Sequence, residues 1–392
     1  MTTPLSFLAA DAAEQLVLMN PGPVVLDERV RAALAGPDLC HREPEFADLL
    51  ARIRHKTTLV AGGGDAHTSV LLTGSGTSAV EAAIGSAVPP DAGLLVVDNG
   101  HYGERFEHIA TAYGIRTHRL ELGWATPVDP ARVEQALAAD PGLTHVGMVQ
   151  HETSTGMLND VAAVARIAHE LGREVIVDAV SSVGAERISL AGDGVDWLCG
   201  SANKCLEGAP GLAFVSAART AFERLADHPN RTYYLDLHRH YTAQEKSGLP
   251  AFTPGIPACY AFEAALDLAL AEGQEARHAR YAALAERLRA GLEALGLELL
   301  LPPGQRAVGL TALRLPAGTG YEELHQAMRA AGFVIYRAQE RLAADHWRLS
   351  TMGRITAADI DRFLAVLADV PRGADHERLA DPAAGRLGRQ HA

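Results

Sequence analysis

Cysteine is scarce. The chain of 392 residues has four (Cys40, Cys199, Cys205, Cys259), with no CxxC pair and no disulfide-like spacing. That excludes a disulfide-stapled scaffold and predicts reduced thiols in a cytoplasmic protein. The 17 histidines include no HExxH and none at zinc-ligand spacing from a cysteine, so no metal is expected; His238 and His240 in LHRHY read as solvated loop residues. No run of ~18 apolar residues offers a membrane span. The start, MTTPLSFLAADAAEQLVLMN, lacks the basic region and long apolar core of a signal peptide. Positive charge is in deficit: 35 Lys and Arg against 48 Asp and Glu give a formal net charge of −13 and a pI near 5.7. Neither nucleic acid nor an anionic membrane is expected as a partner. An anionic substrate would have to be drawn in by a few local arginines.

What is present fits an ordinary soluble globular protein, 48% hydrophobic and 21% charged. The length exceeds the roughly 250–300 residues at which one core stops growing, so a large domain plus a smaller one is expected. An N-terminal segment (1–19) precedes NPGPVVLDERVRAAL, a Pro-Gly-Pro turn and a helix capped by Asp27. The loop CHREPEF then opens another helix. From Ser69 to Asp178, apolar runs of four to six residues (SVLLTG, LLVVDN, IRTHRLEL, HVGMVQ, EVIVD) alternate with amphipathic segments of about 12 residues. This is the pattern of βα units around a largely parallel sheet. Nearly continuous helix is expected from Tyr260 to about Leu297, interrupted at Gly273. A second α/β unit follows, with strands in GLTALRL, FVIYRA and HWRLSTMG. The reading is therefore α/β, with a large domain over 20–260, an interdomain helix and smaller C-terminal domain over 261–370, and a mobile tail over 371–392.

The stretch from Glu174 to Val215 carries the chemistry. An apolar run ends at Asp178; a second, Val195–Cys199, leads into Gly200-Ser201-Ala202-Asn203-Lys204. In an open α/β sheet, ligands sit off the carboxyl ends of the strands. A reactive lysine there must be neutral, which desolvation favours. A carboxylate in the same crevice can hold a pyridinium nitrogen, and that pairing is typical of pyridoxal phosphate chemistry. Gly74-Ser75-Gly76-Thr77-Ser78 joins a strand to a helix and offers backbone N–H groups to an anion. It is not a Walker A loop, and GSGTSA lacks the third glycine of a dinucleotide-binding turn. Tyr102 in NGHYG, at the next strand end, can stack on a planar ring. A hydroxyl in His151-Glu152-Thr153-Ser154-Thr155-Gly156 can meet a ring oxygen.

These phrases, with NPGPV, CHREPEF, FTPGIP and WRLSTMG, resemble the class V aminotransferases, fold-type I enzymes dependent on pyridoxal 5′-phosphate. The resemblance covers nearly everything from Asn20 to Val370. SANKC around Lys204 and RLSTMG from Arg348 are most similar to the branch acting on 2-aminoethylphosphonate and pyruvate. The alanine–glyoxylate and serine–pyruvate branch is next, and an elimination on an aminophosphonate is a further alternative. Cysteine desulfurases share the fold but need a nucleophilic cysteine on a small-domain loop, and the last cysteine here is Cys259.

The resemblance implies a large domain with a mostly parallel seven-stranded sheet flanked by helices and a smaller C-terminal α/β domain. It implies Lys204 as the Schiff-base lysine and proton shuttle, with Asp178 as the pyridinium partner. Ser75, Gly76 and Thr77 fall on the phosphate cradle, Tyr102 on the ring-stacking aromatic, Thr153 on the ring-oxygen contact and Asn203 on a further cofactor contact. Thr253 matches a residue that reaches the phosphate from a neighbouring subunit, implying a homodimer with shared sites. Arg348 falls on the arginine that grips the substrate's acidic group, with Arg42, Arg337 and Arg354 as possible second contacts. The partners implied are an amino donor and a 2-oxo acid acceptor.

Overall fold

Short apolar runs buried on both faces become the strands of a central sheet. The structure, a computed structural model, describes residues 16–229, 231–316 and 318–370; the tail expected from 371 and most of the N-terminal segment lie outside the described residues. The strands are β1 (His67–Thr73), β2 (Gly93–Asp98), β3 (Arg116–Glu121), β4 (Leu143–Val149), β5 (Glu174–Asp178), β6 (Trp197–Ser201) and β7 (Leu212–Ala218). Their order is β1-β7-β6-β5-β4-β2-β3. Only β7 runs antiparallel to its neighbours; the other contacts are parallel. This is the expected seven-stranded, mostly parallel sheet.

The burial of each strand follows its place in the sheet. All six residues of β2 are buried, whereas β3 at the edge alternates and exposes Arg116 and Glu121, as an edge strand can. Register aligns Val149 with Asp178 and Asp178 with Cys199. The C-terminal ends of β4, β5 and β6 therefore lie side by side. The helix Gly76–Ala87 buries Gly76, Ala79, Ala82, Ala83 and Gly85, small residues that let it lie close to the sheet.

A second, antiparallel sheet is formed by β8 (Leu310–Arg314), β9 (Tyr336–Arg337) and β10 (His346–Ser350), in the order β8-β10-β9. The helices Gln274–Ala294 and Ala357–Ala368 bury Leu288, Leu292 and Phe363 in one apolar cluster with Trp347 and Phe333. Val17 and Met19 join that cluster, so the described end of the N-terminal segment packs with C-terminal residues. The helix expected from Tyr260 is two, Ile256–Glu272 and Gln274–Ala294, parted at Gly273 with φ +79°.

Three local expectations change. β6 runs two residues beyond Cys199, because Gly200 and Ser201 still pair with Phe214 and Ala213 of β7. FVIYRA is not one strand. Phe333–Val334 pairs with Val17–Leu18 and Tyr336–Arg337 with β10, with buried Ile335 as the pivot. His238 and His240 lie on the helix Leu237–Thr242, capped by Asp236. His240 is buried, its Nε2 2.7 Å from the Tyr234 carbonyl.

Gly200 is a packing requirement of the strand that leads to Lys204. A Cβ there would lie 2.2 Å from Phe214 Cζ, and Phe214 is backed by the stacked ring of Phe262, 6.1 Å between centroids. Gly200→Ala should therefore destabilise the fold by about 1–3 kcal/mol through overpacking. Thermal or urea unfolding measures this. A Phe214→Leu background should absorb much of the loss, giving a less-than-additive double mutant.

Candidate active site

The ends of β1, β2, β4, β5 and β6 surround a cavity of about 170 Å³. Ser75, Gly76, Thr77, Tyr102, Asp178, Asn203 and Lys204 all line it, with Arg105, Val149, His151, Val180, Ser181 and Ser201. Residues 129 positions apart in sequence, Ser75 and Lys204, thus meet in one space.

Asp178 ends β5 with its side chain buried and accepts one hydrogen bond, from Val180 N at 2.9 Å. Burial pushes its pKa up to about 6, against the opposing pull of Arg105 and Lys204. Lys204 follows β6. Desolvation, with repulsion from Arg348 and Arg105, lowers its pKa to about 8. Its ammonium donates to the carbonyl of Pro21, and its stem packs on Gly22, where a Cβ would lie 2.8 Å from Lys204 Cδ. Gly22 has φ +118°, a conformation open to glycine and strained for other residues. The NPGP turn thus serves to cover the lysine. Of the three lysines in the chain, Lys56 is paired with Glu263 and Asp267 and Lys246 is exposed.

The anion cradle is the start of the helix Gly76–Ala87. Its N-cap, Ser75, makes no side-chain cap bond and the first turn holds no acid, so no carboxylate competes for this terminus, although Ser78 N already donates to the Ser75 carbonyl at 2.9 Å. A Cβ on Gly76 would lie 2.6 Å from Val180 Cγ1; the cradle and the loop after Asp178 interlock there.

Of the lining residues that motif reading did not single out, Arg105, His151 and Val180 stand out, and Glu152 lies behind the cavity wall. Arg105 lies one helical turn after Tyr102, its guanidinium 4.5 Å from that ring's centroid, and donates to Thr77 Oγ1 at 3.0 Å. The i, i+3 spacing to Tyr102 was the available signal. Glu152, fully buried, accepts from the N–H groups of Tyr102 (3.0 Å) and Gly103 (3.1 Å) and from Ser154. Burial pushes its pKa up to about 7. A Cβ on Gly100 would lie 2.4 Å from Glu152 Cγ, so this carboxylate fixes the start of the helix that carries Tyr102. His151 has Nδ1 2.9 Å from the Ser181 carbonyl, which makes that nitrogen the protonated one, while Nε2 is buried without a partner. Burial lowers its pKa to about 4, so it is neutral.

Thr153, Thr253 and Arg348 do not line this cavity. Thr153 is buried and offers its carbonyl to Arg348 Nη1 at 2.9 Å. Thr253 is exposed, 3.5 Å from His41 Nε2. Arg348, on β10, is 3% exposed. Among the described residues its guanidinium donates only to neutral oxygens: the Thr153 and Arg337 carbonyls and Gln339 Oε1. Arg337 is taken by Glu322 and Arg354 by Asp27 at 3.5 Å; Arg42 is exposed.

An anion cradle, an aromatic platform, a buried carboxylate and a desolvated lysine form a donor set that fits pyridoxal 5′-phosphate. The cradle, shaped by Gly76, suits the phosphate, and a carboxylate short of cations suits a protonated ring nitrogen.

Comparison with known proteins agrees with this geometry. The family model described as Aminotransferase class-V matches residues 31–340. A 2-aminoethylphosphonate–pyruvate transaminase of Syntrophobacter fumaroxidans is 39% identical over 357 residues, 90% of this chain and 95% of that protein. A subgroup IV aspartate aminotransferase of Thermus thermophilus superposes with TM-score 0.83 at 32% identity, over 90% of this chain and 99% of that one. An alanine–glyoxylate aminotransferase of Nostoc gives TM-score 0.87 at 25% identity, over 94% and 97%. The chain belongs to the class V aminotransferases, enzymes of fold-type I that work with pyridoxal 5′-phosphate.

Proposed function

We propose that this aminotransferase moves the amino group of 2-aminoethylphosphonate to pyruvate, reversibly, giving phosphonoacetaldehyde and L-alanine. The observation that carries the reading is Arg348. A buried guanidinium with no carboxylate partner among the described residues is costly unless an anion completes it. Arg289 is buried on neutral oxygens too, but Arg348 is the one bonded to Thr153, two residues after His151 of the cavity wall. Its planar fork accepts a phosphonate and a carboxylate alike, as the two half-reactions require. The substrate named for the Syntrophobacter relative supports the choice of phosphonate.

The cofactor, when bound, supplies a ring that accepts electrons from the substrate and stores the amino group between half-reactions. Ser75, Gly76 and Thr77 would hold its phosphate, with Arg105 adding positive charge beside Thr77. Tyr102 and Val180 would flank the ring, Asn203 would add a polar contact, and the Asp178 carboxylate would keep the ring nitrogen protonated. Lys204 Nζ, half neutral near pH 8, is the base that takes the proton from the substrate carbon and returns it. Arg348 Nη1 and Nη2 orient the substrate's acidic end, and the turn at Pro21 and Gly22 excludes water from Lys204.

We place Thr253 at a dimer interface. It is exposed beside His41 and next to Phe252, in an aromatic group with Tyr233 (71% exposed) and Tyr234 (40% exposed). Tyr234 O–H also reaches the carbonyl of Thr73, just before the anion cradle. A second copy covering this face would bring its Thr253 toward the cradle. The unpaired thiols support a cytoplasmic location.

Three measurements test these assignments. Arg348→Lys keeps the charge and loses the fork, so kcat/KM should fall for both 2-aminoethylphosphonate and pyruvate. Arg348→Ala should cost more, about 3–5 kcal/mol if the substrate anion is left buried and unpaired. Near-normal constants for both substrates in Arg348→Ala, with the cofactor bound, would refute the anchor.

The second test concerns Asp178 in protein stripped of cofactor. Its pKa is about 6 in the fold against 3.8 ordinarily. Below 3.8 it is protonated in both folded and unfolded states and costs nothing. As pH rises the unfolded chain loses the proton first, so the cost grows and is complete above about 6. Asp178→Asn should therefore raise Tm at pH 8, by about 1–3 kcal/mol in stability, while abolishing turnover. The gain should vanish below pH 3.8, and a pH-independent gain counts against buried charge as the cause.

Thirdly, Thr253→Ala should weaken cofactor retention roughly ten- to a hundredfold, the worth of one charge-assisted hydrogen bond, without unfolding the protein. A fully active monomer in sedimentation at assay concentration rules out the shared site.

A further inference from the structure

Lys204 is gripped from behind by groups that touch neither substrate nor cofactor. Its turn is closed by Glu207 N to the Lys204 carbonyl (2.9 Å) and Gly208 N to the Ala202 carbonyl (2.8 Å). Glu207 holds φ +60°, where side-chain-bearing residues are uncommon, and it is 3% exposed. Such a conformation persists only where its surroundings determine it.

Those surroundings are on the helix Gln274–Ala294. Glu207 Oε1 accepts from Tyr281 O–H at 2.7 Å and Arg280 Nη2 at 3.0 Å, with Arg277 Nη2 at 3.2 Å. Arg277 Nη2 also donates to the Cys205 carbonyl at 2.8 Å. Glu272 takes both arginines, at 2.8 and 2.6 Å, so the buried charges balance.

Tyr281, fully buried, has a second attachment. Its oxygen accepts from Gly353 N at 3.3 Å, and Gly353 ends the segment that begins with Arg348 on β10. The same segment is tied to the N-terminal turn: Gly353 bridges Val25, and Arg354 N donates to the Val25 carbonyl at 2.9 Å. That turn returns to Pro21, whose carbonyl accepts from Lys204. The contacts close a ring running Lys204, Pro21 to Val25, Gly353, Tyr281, Glu207 and back to Lys204.

We infer that Tyr281 is a positioning residue whose hydroxyl, shared between the Lys204 turn and the Arg348 segment, sets the lysine's place relative to the arginine. This rests on the reading of Lys204 as the base and Arg348 as the anion anchor. A hydroxyl that donates one way and accepts the other fastens both segments at one point. Phenylalanine fills the same volume and fastens neither.

The test compares wild-type holoenzyme with Tyr281→Phe, Glu207→Gln and a control, Leu288→Val, farther along the same helix in the smaller apolar cluster. The first readout is the pH midpoint of the bound cofactor's visible absorbance, which reports protonation at the Lys204 nitrogen and needs no substrate. In Tyr281→Phe the loosened turn admits water and favours the charged form, so the midpoint should move upward. KM for both substrates should rise roughly three- to tenfold, a fraction of what the charge-assisted bond to Glu207 is worth, because the turn is loosened and not lost. Glu207→Gln keeps an oxygen for the Tyr281 hydroxyl and should shift the midpoint the same way by less. Leu288→Val should lower Tm with the midpoint unmoved. An unshifted midpoint in Tyr281→Phe, or one matched by Leu288→Val, overturns the proposal. Should Tyr281→Phe fail to fold, Glu207→Gln decides: an unshifted midpoint there overturns it. A wild-type enzyme inactive on 2-aminoethylphosphonate would sink the substrate assignment and leave this spectroscopic test intact.

Discussion

Uncompensated charge, buried where five strand ends meet, is the constraint on which this structure turns. Asp178 accepts one backbone hydrogen bond and is pushed up to about 6. Lys204 is lowered to about 8, and Arg348 is sealed among neutral oxygens. Many other buried charges are matched, as where Glu207 meets Arg277 and Arg280 and Asp98 meets Arg119. Arg289 is also held by neutral oxygens among the described residues, so it is the gathering of such groups at one cleft that marks the site. A balanced pair costs little once formed, whereas a lone buried ion costs stability until a ligand supplies its counterpart. Perturbed groups gathered in a cleft mark the place where the fold has been spent on chemistry.

The geometry is then held by backbone approaches that only glycine allows. Gly76 admits Val180, Gly100 admits Glu152 and Gly22 admits the Lys204 stem. Each joins a segment bearing one functional group to a segment bearing another: the cradle to the Asp178 loop, the Tyr102 helix to the strand end before Thr153, the N-terminal turn to the lysine. A side chain at any of these positions would push two functional groups apart, so the glycines act on the site through distance.

Much of this was legible in the sequence, for definite reasons. Asp178 and Lys204 end or follow apolar runs whose lengths and spacing permit only buried strands, and parallel strands put their carboxyl ends on one side. Gly74 to Ser78 sits at a strand-to-helix junction and Tyr102 at the next, so their convergence followed from topology alone. Arg105, Glu152 and His151 were not assigned to the site by motif, because a polar residue on a helix or strand end carries no mark of which face it takes. Thr153 shows the converse. Its position near the site was readable, yet it meets Arg348 through the carbonyl, which no side-chain reasoning could distinguish. The misplaced boundaries have the same origin. Gly200 and Ser201 look like a turn but continue β6 because Phe214 fills the space above Gly200. FVIYRA looks like one strand but divides at Ile335, since two different partners compete for its halves.

Arg348 illustrates how the two sheets share one task. It stands on the smaller sheet but donates to Thr153 at the end of the larger one. Next to its partner Gln339, Glu340 lies 3.1 Å from His101 and Arg341 lies 2.8 Å from Glu104, both on the helix that carries Tyr102. These contacts couple Arg348, the proposed anion anchor, to the helix that carries Tyr102. In an amino transfer the donor and the acceptor occupy one site in turn and differ at their acidic ends. A single arginine tied by neutral oxygens can serve both, because a carbonyl yields to a stronger anion without leaving a second buried charge behind. A carboxylate in that role would compete with the substrate at every turnover. If Arg348 is the anchor as proposed, the absence of an ion pair to it among the described residues is what makes exchange of one anion for another physically cheap.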